Sequence, residues 1–338
     1  METADSQPFL PPELLLHVIQ CLVPPSAHSA IALPAAHPTT KALLCLTLTS
    51  CLTNTLARRL LYEYCLYLDT TERVKAFDRT IQSLASKPNP TNYNITSLYI
   101  SLSAPNNSNG NKIPSIALVA RVLDSLHQTL KHLLLDFPIR IFFHPNMDGM
   151  SVDPDGYLGP IRKAFHKLNS LETYCFLYEA FISLFYPEIV DFDDVNLDTA
   201  SIAARITTNT STPWPDLKVL ALYNPYFGET STILREISKL QSLETLIVAR
   251  PDGLERINIE DVWRAGCGNK KRELNIVIVN TEKWHRIDAR EYQKEGNWVR
   301  IRVLNVPTSY YGDEDENELC VSWVRRKMLR GEPPKEWS

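Results

Sequence analysis

A six-residue pattern, apolar-x-x-apolar-x-apolar, recurs seven times between residues 95 and 303, and it constrains the fold more than any other feature. The copies begin at Ile95, Leu130, Leu171, Leu217, Leu243, Leu274 and Trp298, and their fourth positions are Leu98, Leu133, Tyr174, Leu220, Leu246, Val277 and Ile301. Alternating apolar residues of this kind form a strand with one buried face. An earlier edge copy is available at Tyr64–Leu68. Helical periodicity fills the intervals, at Glu72–Leu84, Ile113–His127, Leu158–Leu168, Asp198–Ile206, Ser231–Leu240 and Ile259–Ala265. Short strands that alternate with helices imply parallel pairing through right-handed crossovers.

The expected class is therefore α/β, with a leucine-rich-repeat-like solenoid of parallel strands over residues 69–338. The fourth positions are separated by 35, 41, 46, 26, 31 and 24 residues, so only the last three intervals approach a regular repeat and the earlier ones carry insertions. The ninth positions hold Ser103, Pro138, Glu179, Pro225, Pro251, Glu282 and Val306, so no asparagine ladder forms and the array should be irregular. A doubly wound nucleotide-binding sheet is the competing fold, but no glycine-rich strand-to-helix turn supports it.

The chain ahead of the repeats reads as a helical module. Pro11-Pro12 opens a helix in which Leu14, Leu15, Val18, Ile19 and Leu22 share an apolar face, and Pro24-Pro25 ends it. A proline-containing connection over 24–40 leads to a second helix, Lys41–Leu61, capped by Thr39 or Thr40. That helix is apolar almost all round, more than so small a bundle can bury alone. The run Leu-Pro-x-Glu-Leu-Leu-x-x-Val-Ile-x-x-Leu from Leu10 to Leu22, followed by an apolar helical stretch and Leu60-Leu61-Tyr62, resembles an F-box. It looks most like those of filamentous-fungal F-box proteins, and the resemblance covers residues 9–68; the long insert at 24–40 departs from the compact form.

The resemblance implies a substrate-recognition adaptor of an SCF-type ubiquitin ligase. Leu10, Pro11, Leu14, Leu15, Val18, Ile19 and Leu22 would then contact the Skp-type adaptor of the cullin ligase complex, and the repeats would hold a client protein. The alternative is a stand-alone repeat scaffold for protein–protein interaction whose N-terminal helices merely cap the array.

Composition narrows the remaining classes. A net charge of −4 with both signs dispersed gives no footprint for nucleic acid and no polybasic membrane patch. The seven cysteines show no paired spacing, the N-terminus has no basic leader, and no apolar run reaches a membrane span, so a cytoplasmic or nuclear protein is expected. The sequons at Asn94, Asn106 and Asn209 then have no secretory route to use.

No catalytic, metal or cofactor site is expected. The acidic run Asp191–Asp198 lacks the oxygen and glycine positions of a calcium loop and reads as a helix-capping loop. Gly266-Cys267-Gly268 ahead of Lys270-Lys271-Arg272 reads as a helix end, not an activated thiol. Acids at 313–318 followed by Arg325, Arg326, Lys327 and Arg330 suit a final helix, with Trp323, Val324 and Met328 on its apolar face, capping the last repeat.

In strands of this pattern the third, fifth and seventh positions face away from the helices. They include polar or large residues at the array ends and an apolar strip of Cys175, Leu177, Val219, Ala221, Tyr223, Ile247 and Ile276 in the middle. The client site is expected on this concave strip, with Tyr99, His132, Tyr223 and Arg302 as contacts and the insertions at 139–157 and 178–215 as partial cover.

Overall fold

A computed structural model describes residues 11–24, 30–85, 94–102, 114–137, 158–177, 214–225, 227, 233–254, 257–268, 271–281, 298–308 and 314–337. The chain is α/β, with one eight-stranded sheet and nine α-helices among the described residues. The expected helix at 198–206 and most of both long insertions lie outside them.

Three helices come first: α1 (Pro12–Cys21), α2 (Pro38–Leu46) and α3 (Cys51–Tyr64). Prolines occupy the first turns of α1 and α2, where a missing N–H costs no helical bond. The single helix expected over 41–61 is in fact two. Ser50 forms a capping box with Thr53, satisfying amides at a new helix start, and the Thr53 hydroxyl also donates to Leu46 O at 2.9 Å. The cap of α2 is His37, whose Nδ1 accepts from Thr39 N–H at 3.2 Å, while the Thr39 hydroxyl donates to Leu22 O and ties α2 to α1.

The strands follow as β1 (Tyr67–Leu68), β2 (Ser97–Ser101), β3 (His132–Asp136), β4 (Thr173–Phe176), β5 (Val219–Tyr223), β6 (Thr245–Ala249), β7 (Leu274–Thr281) and β8 (Val299–Val306). All pair in parallel and their order in the sheet is their order in the chain. Helices α4 (Thr71–Ala85), α5 (Pro114–Leu126), α6 (Leu158–His166), α7 (Ile233–Ser238) and α8 (Ile259–Cys267) lie between successive strands. Crossovers of one hand between sequential neighbours place these helices on one face of the sheet. Leu98, Leu133, Tyr174, Leu220 and Leu246 point into that helical layer with Val119, Phe165 and Trp263, forming the larger core. Trp214, the first described residue after the longest insertion, anchors the chain there by donating from Nε1 to Phe165 O at 2.8 Å.

The register matches the repeat reading in every strand but one. Leu246 pairs with Ile276, not Val277, so β7 is displaced by one residue. Ile276 and Ile278 enter the helical layer, and Val277 and Val279 face the opposite side. Ile276 therefore does not belong to the concave strip. The slip was open because residues 276–279 are all apolar and carry no alternation to mark a face.

One residue ahead of β3, β4 and β5, Lys131, Glu172 and Lys218 stack across these neighbouring strands. Glu172 takes Lys131 Nζ at 2.9 Å and Lys218 Nζ at 2.8 Å. Glu244 continues the row, its N–H donating to Lys218 O at 2.9 Å. Alternating charge on adjacent strands favours the observed register over its neighbours.

The last helix, α9 (Glu316–Leu329), does not cap the edge of the sheet. It lies across the sheet face opposite the helical layer, where Cys320, Val321, Val324 and Met328 pack on Leu134, Cys175, Ala221, Ile247 and Val277 in a second core. Apolar residues on both faces of the sheet require a second covering layer, and the chain's own C-terminal segment supplies it.

Candidate functional site

Two surfaces carry the residues singled out by the sequence. The first is the N-terminal helical module. Its core is built from Ile19, Val23, Leu33, Leu43, Leu56 and Leu60. Ile19, expected on the contacting face, is 1% exposed and anchors this core; Leu15 is half-buried against it. Leu14, Val18 and Leu22 recur every four residues along α1 and are 52%, 54% and 37% exposed. Pro11 is exposed at the helix start, and Leu10 lies outside the described residues. Leu44 near the end of α2, Leu48 in the turn after it, and Leu52 at the start of α3 are exposed as well. Among the described residues, every large exposed hydrophobic belongs to this module.

The module is joined to the sheet. Ile31 and Ala32 enter the second core on the sheet, and α3 runs through Cys65-Leu66 directly into β1.

The second surface is the sheet face beneath α9. Tyr99, His132, Tyr223 and Arg302 do share it, but each lies against the chain itself. Tyr99 is buried, its ring 4.2 Å from that of Tyr67, and its hydroxyl donates to Asp136 Oδ2 at 2.8 Å. Burial, then the Asp136 carboxylate, push the Tyr99 hydroxyl well above the usual phenol range. Asp136 is in turn held by Arg325 of α9, with Nε at 2.8 Å from Oδ2 and Nη2 at 3.2 Å from Oδ1. Burial pushes the Asp136 carboxyl up, and Arg325 and Tyr99 pull it part of the way back.

His132 lines a pocket of about 110 Å³ with Thr173, Val219, Met328, Glu332 and Pro333. Burial holds its imidazole below the usual histidine range, against the pull of Glu172. Tyr223 is half-buried beside the second core, and burial pushes its hydroxyl up to about 12, although Arg250 opposes the rise. Arg302 donates to the carbonyls of Lys335, at 3.0 Å, and Pro334. Of the expected client contacts, His132 and Arg302 thus meet the C-terminal segment directly, and Tyr99 meets Tyr67 and Asp136. Arg302 and Tyr99 have their polar groups already satisfied.

Asp136 is the one acid within the strand β3, and a buried carboxylate requires a cationic partner. That requirement was visible in the sequence, but the identity of the partner was not, because Arg325 also suits the C-terminal dipole of α9. The alternation Lys131, Glu172, Lys218, Glu244 at the second position of four successive repeats was a direct register signal.

The remaining candidates have structural roles. Gly268, at φ +62°, ends α8 as a C-cap, and Cys267 Sγ lies 3.7 Å from Arg272 Nη1. Burial raises the Cys267 thiol, which opposes thiolate formation. The acidic run at 191–198 lies outside the described residues. Among the described residues, no three His, Cys, Asp or Glu side chains are placed to share a metal ion, and no helix is long and apolar enough to cross a membrane. No protein-family model, curated protein or solved structure matches the chain.

Proposed function

We propose that the protein is a substrate-recognition adaptor of an SCF-type ubiquitin ligase. It docks a Skp-type adaptor through an F-box-like module over residues 9–68 and presents a client on a leucine-rich-repeat-like solenoid over 69–338. The observation that carries this reading is the division of labour within the first three helices. Ile19, Leu43 and Leu60 fill a core, while Leu14, Val18, Leu22, Leu44, Leu48 and Leu52 stay exposed. A folded module with its own core has no internal use for six exposed large apolar side chains, and such patches mark interaction sites. The sequential parallel order of the strands supports the repeat reading of the body. In this reading the protein performs no chemistry; transfer of ubiquitin belongs to other subunits in a cytoplasmic or nuclear complex.

A second reading, a repeat scaffold capped by the same helices, is favoured by the direct run of α3 into β1 and by the packing of Ile31 and Ala32 in the second core on the sheet. Affinity purification of the tagged full-length chain separates the two. Co-purification of the Skp-type adaptor and cullin supports the first, and their absence from a well-expressed preparation supports the second.

A further inference from the structure

The C-terminal segment lies on this sheet face in a way that specifies a ligand. Helix α9 begins with Glu316 paired to Arg250, after β6, at 2.9 Å. Nine residues later Arg325 reaches the recessed carboxylate of Asp136 at the end of β3. Val321, Val324 and Met328, at spacings of three and four, are buried in the second core on the same helix. The chain then turns at Gly331, φ +65°, and returns so that Arg302 of β8 donates to the carbonyls of Pro334 and Lys335. Trp337 closes the loop on Trp323, with ring centroids 5.3 Å apart.

The fit is incomplete at the turn. A pocket of about 110 Å³ remains among His132, Thr173, Val219, Met328 and Pro333, enough for ordered water. The polar anchors on the sheet side, Asp136, Arg250 and Arg302, are side chains that any segment of the right pattern could satisfy.

We propose that the sheet face beneath α9 is a helix-docking groove whose resident occupant is the chain's own C-terminal segment. Its client is an amphipathic helix with an acid in the first turn, apolar residues at the positions of Val321, Val324 and Met328, and an arginine at that of Arg325. The client enters by displacing the resident segment and repeating its contacts. Helix-in-groove recognition reads such i, i+3, i+7 anchors, and a buried acid selects against helices that lack the arginine. The client class rests on the reading of the body as client-presenting, but the docking itself is independent of α1–α3. Loss of adaptor binding would count against the proposed function, while the result below bears on the groove alone.

The test uses the full-length chain and a labelled synthetic peptide spanning residues 314–337. Arg325→Glu in the full-length chain sets a carboxylate against Asp136 and loosens the resident segment. The peptide should bind that variant at least tenfold more tightly than the wild type, and a peptide carrying Arg325→Ala should lose most of that affinity. Equal or undetectable binding to both full-length chains overturns the proposal. Hydrogen exchange on the unaltered chain provides a second test that needs no folded variant. Amides of α9 should open at least tenfold more often than those of β5–β7, whereas exchange of both only through global unfolding would make α9 a fixed layer of the fold and overturn the proposal.

Discussion

Asp136 and Arg325, 189 positions apart in the chain, meet at 2.8 Å on the sheet face beneath α9, where the Tyr99 hydroxyl also donates to the carboxylate. The Asp136 side chain is 5% exposed. Removing only the cation strands a buried negative charge, which costs about 3–5 kcal/mol. Arg325→Ala should therefore lower the denaturant midpoint markedly, and Tyr99→Phe by less, about 1–2 kcal/mol. Urea titration of the two variants and of the double mutant with Asp136→Asn checks this. Additive losses in the double mutant would show that the pair is not coupled.

Within α1, neighbouring residues should behave oppositely. Ile19→Ala opens a cavity in the module core and should cost about 2–5 kcal/mol. Val18→Asp, on the exposed stripe, should leave stability within about 0.5 kcal/mol of the wild type. Thermal melts of the two variants decide the matter; similar losses in both would place Val18 in the core as well.

Glu172 gives a signed pH dependence. Hydrogen bonds from Lys218 and then Lys131 pull its carboxyl down to about 2. A depressed folded-state pKa contributes stability that is fully present above the unfolded value of about 4.3 and is lost as pH falls toward the folded one. Between about pH 5 and pH 2 the wild type should therefore lose more stability than Glu172→Gln does. Parallel pH profiles of the melting temperature would expose a missing contribution as two curves of the same slope.

Helices α7 and α8 touch through a glycine. A Cβ at Gly266 would lie 1.6 Å from Ser238 Oγ and 2.4 Å from its Cβ, and Ser238 is fully buried. Gly266→Ala should cost about 1–3 kcal/mol through overpacking. Ser238→Gly in the same chain removes both clashing atoms and should restore part of the loss. If that second change only adds to the damage, the close approach is not the cause.

The sheet was legible because an apolar residue three places ahead (Ile95, Leu130, Leu171, Leu217, Leu243 or Trp298) sets the phase of Leu98, Leu133, Tyr174, Leu220, Leu246 and Ile301. Val277 failed because the equivalent place ahead of Ile276 is Glu273, and Leu274 takes the first position of the pattern instead. The break between α2 and α3 was missed because its marker, Ser50 with Thr53, lacks the glutamate by which a capping box is usually recognised. The concave strip was identified as a face needing cover, and its occupant was not. Which segment lands on an apolar surface depends on contacts nearly two hundred residues apart, and α9 alone reads equally well as an end cap.

The account turns on whether the exposed stripe of α1 is an adaptor-binding surface. Binding of purified Skp-type adaptor to the full-length chain, measured by calorimetry, tests it most directly. The wild type should bind, and Val18→Asp should bind at least a hundredfold more weakly, about 2.7 kcal/mol, with an unchanged circular dichroism spectrum. Absence of binding by a folded wild-type chain, or undiminished binding by Val18→Asp, would contradict it.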